Sequence, residues 1–179
     1  MYEKLIKNIT ENGAYKASII NVSDIPFEPD LRKACESNQC GNYGKSWTCP
    51  PDVGDIYELI ERAKKYKYAL VYQTVSLLED SYDFEGMQAG LKHHDVITDQ
   101  IAKSANQEIK TPILQLSAGG CRICDICAKK NDKPCRYPDK ALASLEAYGI
   151  FVAKMAEKAG MKYINGVGTV TYFGALLFN

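Results

Sequence analysis

Four cysteines fall within fifteen residues in the stretch GGCRICDICAKKNDKPCRYP, residues 119–138. They are Cys121, Cys124, Cys127 and Cys135, separated by two, two and seven residues, with Pro138 three positions further on. Three thiolates at this spacing can wrap one compact cluster, each taking a corner iron, while a fourth arrives from farther along the chain. The bacterial ferredoxin run C-x2-C-x2-C-x3-C-P opens in the same way. Zinc sites more often use two separated C-x2-C knuckles, so the spacing favours a [4Fe–4S] cluster, with zinc as the alternative. Gly119 and Gly120 suit the role: lacking Cβ atoms, they let the backbone come close and turn amide N–H groups toward sulfur. Single reduced cysteines are common in cores, but four set among Arg, Asp, Lys and Asn are not a core pattern.

A looser group, ACESNQCGNYGKSWTCPP (34–51), holds the other three thiols, Cys35, Cys40 and Cys49. Gly41 and Gly44 permit a tight wrap, the Cys-Pro-Pro ending stiffens the last ligand, and Tyr43 and Trp47 can shield a cofactor from water. Three thiolates can hold three irons of a second cube, or complete a zinc site with a histidine. They can equally be plain loop cysteines. Bound as a cube, they leave one iron for water, a small molecule, His94 or a carboxylate, which is a Lewis-acid position. Arg32, Lys33 and Lys45 lie near these cysteines in sequence and offset thiolate charge. In two-cluster ferredoxins the distal cysteine of a run serves the other cluster, so Cys135 has two candidate destinations.

The two histidines, His93 and His94, are adjacent, so on a helix they project about 100° apart. His94 falls on an apolar stripe and reads first as a hydrogen-bonded core residue, second as a ligand. Asp95 and Asp99 read as solvated helix-surface charges, and KKNDK (129–133) as a solvated connector. No dinucleotide fingerprint, phosphate loop, nucleophile elbow or H-E-x-x-H motif is present. GVGTVTYFG reads as a turn feeding a strand.

The chain of 179 residues is 46% hydrophobic and 25% charged, which suits one folded domain over 1–179 carrying its cysteine-rich loops at about 35–51 and 119–138. Its 22 basic residues balance its 22 acidic ones. That balance argues against a nucleic-acid or anionic-membrane partner held by bulk charge. The amphipathic start lacks a signal-peptide core, and no run approaches 18 apolar residues. The expectation is a cytoplasmic protein, whose reducing surroundings disfavour disulfides and leave metal as the leading use for seven thiols.

The elements that must position these loops are legible as periodicities. Residues 2–12 read as a short helix and 15–22 as a strand, with a helical turn at LRKACES. Ile56, Leu59, Ile60 and Ala63 mark a helix capped by Asp55 with Glu58. Residues 68–78 are apolar on both faces at their start, as in a central strand. A long helix is expected over 84–109, with Met87, Leu91, His94, Thr98, Ile101 and Ala105 along one stripe. The strand at 113–120 runs into the second cysteine group. A helix with Leu142, Leu145, Gly149, Val152, Ala156 and Ala159 on its inner stripe is expected from Pro138 to Gly160, breakable at Gly149, before a last strand at 168–178. Alternating helices and strands favour an α/β (or α+β) domain with a central mixed sheet of about four strands covered by helices. Both cysteine groups are expected on one edge of that sheet, because each follows the C-terminal end of a strand.

The pieces CGNYGKSWTCPP, CRICDICAKKNDKPCRYPDKALASLEAYGI and VTYFGALLF resemble an uncharacterised family of small, cysteine-rich predicted metal-binding proteins found mainly in anaerobic microbes. The likeness runs from about residue 35 to the end and takes in all seven cysteines. It implies metal binding and, through the anaerobic habit, an iron–sulfur role. Residues and resemblance together lead to an iron–sulfur protein passing electrons to or from a redox partner protein. The alternatives are an enzyme binding a small molecule at an open iron on Cys35, Cys40 and Cys49, and a zinc-stapled interaction module without catalysis.

Overall fold

The computed structural model describes residues 2–179. Its centre is a pair of ten-residue strands, β2 (Tyr68–Leu77) and β5 (Thr169–Phe178), antiparallel from Tyr68↔Phe178 to Leu77↔Thr169. β1 (Lys16–Asn21) lies antiparallel on the free side of β2. β3 (Leu114–Ser117) pairs antiparallel with β5, and the two-residue β4 (Ala143–Ser144) pairs parallel with β3. The order is β1-β2-β5-β3-β4, a mixed five-stranded sheet. The α/β expectation holds, with one short strand more than expected.

Alternation along the strands builds two cores, because successive strand side chains face opposite ways. Leu70, Tyr72, Leu176 and Phe178 face one layer, made by α1 (Glu3–Glu11) and α4 (Phe84–Glu108) through Leu5, Ile9, Ile97 and Ile101. Ala69, Val71, Phe173, Ala175 and Leu177 face the other, made by α3 (Ile56–Lys64) and α5 (Val152–Lys158) through Leu59, Ala63, Met155 and Ala156. Each fully buried aliphatic side chain contributes roughly 1.5–3 kcal/mol. Asp55 caps α3 as expected, accepting from the amides of Tyr57 (2.9 Å) and Glu58 (3.2 Å). Among the described residues no helix is long and apolar enough to cross a membrane.

The helix expected from Pro138 onward does not form as one piece. Ala143 and Ser144 are extended against β3, and the Leu145 amide donates to the Ser117 carbonyl at 3.1 Å. A single turn of tight helix follows at Glu146–Tyr148, and Gly149 then takes a left-handed conformation with φ +70°. Helix begins again only at Val152. The unpaired edge of β3 competes with local helix propensity here and wins, since it satisfies the same backbone groups while burying Leu145 and Ile150.

Candidate metal centre

The second cysteine loop leaves β3 through a turn that an arginine holds. Arg122 donates from Nη1 to the Ala118 carbonyl at 3.0 Å and the Gly120 carbonyl at 2.6 Å. From Nε it donates to Asp95 of α4 at 2.9 Å, and its Nη2 bonds the other oxygen of the same carboxylate. One side chain therefore fixes both the turn and its distance from the helix. Cys121, Cys124, Cys127 and Cys135 ring a cavity of about 20 Å³, closed by Ala128 and Tyr137. Burial pushes the Cys121 thiol up, and Cys135, Cys124 and Cys127 add to the rise, so the four sulfurs feel one another. Cys127 moves the other way. Burial acts to raise it, but donation from the amides of Lys129 and Trp47 and the Ser46 hydroxyl, with the charge of Arg136, leaves its thiol below the usual value.

The first loop follows α2 (Leu31–Glu36), the helical turn expected at this point. It wraps through three left-handed residues, Asn38 (φ 52°), Gly41 (φ 75°) and Gly44 (φ 67°). Asn38 tolerates this conformation better than most residues, and its Oδ1 accepts from the Tyr43 amide at 3.0 Å. Cys40 is exposed, whereas Cys35 and Cys49 are half-buried. Burial raises both Cys35 and Cys49; Cys40 raises both further, and Arg32 opposes the rise at Cys35. Arg32 is itself anchored on the carbonyls of Gly54 (2.9 Å) and Ala147 (3.3 Å). Lys33 turns away to Asp30 at 2.7 Å, and Lys45 is exposed.

The two loops dock on each other. The Cys121 amide donates to Thr48 Oγ1 at 3.2 Å, and Trp47 Nε1 donates to the Lys133 carbonyl at 2.9 Å. Lys129 Nζ lies 2.8 Å from Asp52 Oδ1 and 4.7 Å from the centre of the Trp47 ring. A Cβ added to Gly120 would sit 3.3 Å from Cys49 Sγ, so a first-group thiol rests against the turn that carries Cys121. The groups meet as expected, but not for the expected reason. β1 and β3 run in opposite directions and sit on opposite sides of the central pair. The chain after β1 crosses the α3–α5 layer, bridging Phe27 to Ile150, before it reaches the end of β3.

Residues 18–178 match the family described as "Predicted metal-binding protein (DUF2284)". The chain belongs to this family. No curated protein and no solved structure matches it. The matched span takes in both loops and omits the first seventeen residues and the last. The description of DUF2284 as predicted metal-binding agrees with the resemblance drawn from the cysteine stretches.

The donor set in this DUF2284 chain suits a thiolate-held group. All seven cysteines are free, and amide and hydroxyl donors point at sulfur in both loops. Among the described residues no three His, Cys, Asp or Glu side chains converge on a single-ion position; the second-loop thiols ring a space instead.

His94 is not part of this arrangement. It is fully buried between α4 and the sheet, with Nδ1 2.9 Å from the Thr74 hydroxyl and its ring stacked on Tyr72. Burial depresses its pKa to about 4, so it is a neutral core residue near pH 7. His93 is exposed on the same helix. Two expectations need correction. Asp95 is not a solvated surface charge but the partner of Arg122, and Lys129 of the KKNDK connector bridges the two loops. Their sequence signal is slight: Asp125 and Asp132 offer each basic residue a nearer acidic partner three positions on, and nothing local points to Asp95 or Asp52.

Proposed function

We propose that this DUF2284 chain is a cytoplasmic iron–sulfur protein that passes electrons to or from a partner protein. Cys121, Cys124, Cys127 and Cys135 hold a [4Fe–4S] cluster, and Cys35, Cys40 and Cys49 hold a second metal group. The observation that carries this reading is the docking of the two loops, whose seven cysteines are all free and which sets Cys49 against the turn that carries Cys121. When bound, such clusters supply one-electron chemistry, at potentials set by hydrogen bonds, charge and exposure.

The protein's own residues supply that tuning. Lys129 and Trp47 donate amide hydrogens toward Cys127, and Ile123 donates toward Cys121. Arg136 adds positive charge beside Cys127. Donors and cations stabilise the more negative reduced state and so raise the potential. Ile123 (44% exposed), Ile126 (57%) and Tyr137 (46%) form an apolar collar on the second loop, the kind of surface a redox partner covers. The exposure of Cys40 favours a second reading, in which the first group leaves a position open to a small molecule.

Anaerobic purification followed by iron, zinc and acid-labile sulfide analysis tests the proposal. Brown protein with iron and sulfide in near-equal amounts is expected. Stoichiometric zinc without sulfide would overturn it in favour of a stapled interaction module.

A further inference from the structure

A hollow of about 350 Å³ lies between α4, the end of β3 and the Cys121 turn. We propose that it binds a small zwitterion of amino-acid size, with the ligand ammonium on the Asp95–Asp99 side and the carboxylate at Lys140. This goes beyond electron transfer and rests on the cavity, not on the identity of the metal.

Asp95 and Asp99 are one helical turn apart and so share a face of α4; both line the hollow. Arg122 also lines it but is largely committed. Its Nε and Nη2 serve Asp95, and its Nη1 serves two carbonyls, which uses all but one of its five N–H donors. It therefore sets the wall more than it attracts an anion. Among the described residues, Asp99 and Lys140 have no ion-pair partner, and they bring opposite charges to one cavity. Both are exposed, so neither demands a partner, but a zwitterion can pair with the two at once where a simple anion or cation pairs with one.

Ser117 supplies the independent sign of a ligand. It is in the wall, only 4% exposed, and its hydroxyl has no hydrogen-bond partner. Buried hydroxyls are ordinarily paired. Ser117 lines the hollow, so an occupant is the partner at hand for this one. Size narrows the class further, because 350 Å³ lies at the small end of ligand pockets. Ile123 and Leu142 give it an apolar side for a short side chain. Cys121 is also in the wall, so an occupant lies beside the second-loop thiols.

Isothermal titration of the full chain, purified anaerobically, with the protein α-amino acids tests this. Each one that binds is compared with its decarboxylated amine and its deaminated acid. Saturable binding of at least one amino acid is expected, with both analogues weaker by about tenfold or more. Asp99→Asn and Lys140→Gln should each weaken binding about tenfold, and Ser117→Ala about threefold, with metal content unchanged. Absence of heat with every amino acid overturns the proposal. So does binding of amine or acid as tight as the parent, or affinity indifferent to all three variants. Metal analysis of the same preparation separates the two readings. Zinc, or no metal, sinks the iron–sulfur reading and leaves the titration interpretable, whereas a full iron and sulfide complement without amino-acid binding sinks only the pocket.

Discussion

The loop at 119–138 is braced by its own surroundings: β3 delivers it, and Arg122 ties its first turn to the long helix α4. The loop at 34–51 has a firm start, where Arg32 grips Gly54 and Ala147, but its middle runs through three left-handed residues with no strand behind them. Its later residues lean on the other loop, Trp47 through Lys133, Thr48 through Cys121 and Asp52 through Lys129. The support is unequal. The four-cysteine loop has braces of its own in β3 and Arg122 besides the donors Ser46 and Trp47 that reach Cys127, so the three-cysteine loop is expected to depend on it more than the reverse.

Removing one ligand from each loop is the hardest test of that asymmetry. Cys124→Ala should abolish the second-loop metal and also loosen the first loop. Metal-binding free energy is folding free energy in such loops, so a loss of at least about 3 kcal/mol is expected, roughly 6–12 °C in Tm for a chain of this size. Cys40→Ala should lose the first-loop metal alone and leave the second-loop iron and sulfide intact, with a smaller fall in Tm. Metal counts on the two purified variants, with melting curves, decide it. Full metal in Cys124→Ala would remove that residue from the ligand set, and equal losses in both variants would show mutual dependence.

What was legible in sequence divides along the same line. Cysteine spacing is a short-range pattern, and so are the apolar alternation of β2 and the stripe of α4; each appears where local periodicity put it. The register of β3 against Ala143 is not local, and it turned the run expected as helix after Pro138 into a strand, a tight turn and a left-handed glycine. The meeting of the loops was foreseen from strand ends, yet the strands run in opposite directions and the contact comes from a crossing of the α3–α5 layer. The residues that fasten the site leave no local signal for the same reason. Arg122 and Asp95 are 27 positions apart, and Lys129 finds Asp52 across the two loops. Charge pairing at that range leaves no periodic trace.

His94 sharpens the comparison from the side of the fourth ligand. Held at Thr74 in the core, it leaves the first loop with three thiols, so His94→Gln should keep the metal content of both loops. Its effect should appear in acid instead. The neutral ring has a pKa of about 4 in the folded chain against about 6.5 unfolded, with Asp95, Arg122 and His93 as the charges that act on it. Because the folded value is depressed, the unfolded state takes up the proton first as pH falls. The stability this represents is complete above pH 6.5 and lost on the way down to pH 4, about 3 kcal/mol in all. Urea midpoints of wild type and variant across that window should converge toward acid. Parallel curves, or a changed metal count, would return His94 to the ligands.

The smallest expected effect comes from Trp47, the lone tryptophan, which belongs to the first loop but rests on the second. Its indole N–H bonds Lys133, its backbone amide points at Cys127, and its ring lies with Cys135 along one hollow. Replacing it by Phe keeps most of the apolar contact and forfeits one hydrogen bond, so a cost of about 1 kcal/mol is expected. The fluorescence of the wild-type ring is the more informative reading. If the first loop leans on the second, Trp47 senses the second-loop metal, and its emission should stay quenched in Cys40→Ala and rise in Cys124→Ala. The reverse pattern would mean that Trp47 moves with its own loop, and the unequal dependence would fail at the residue best placed to show it.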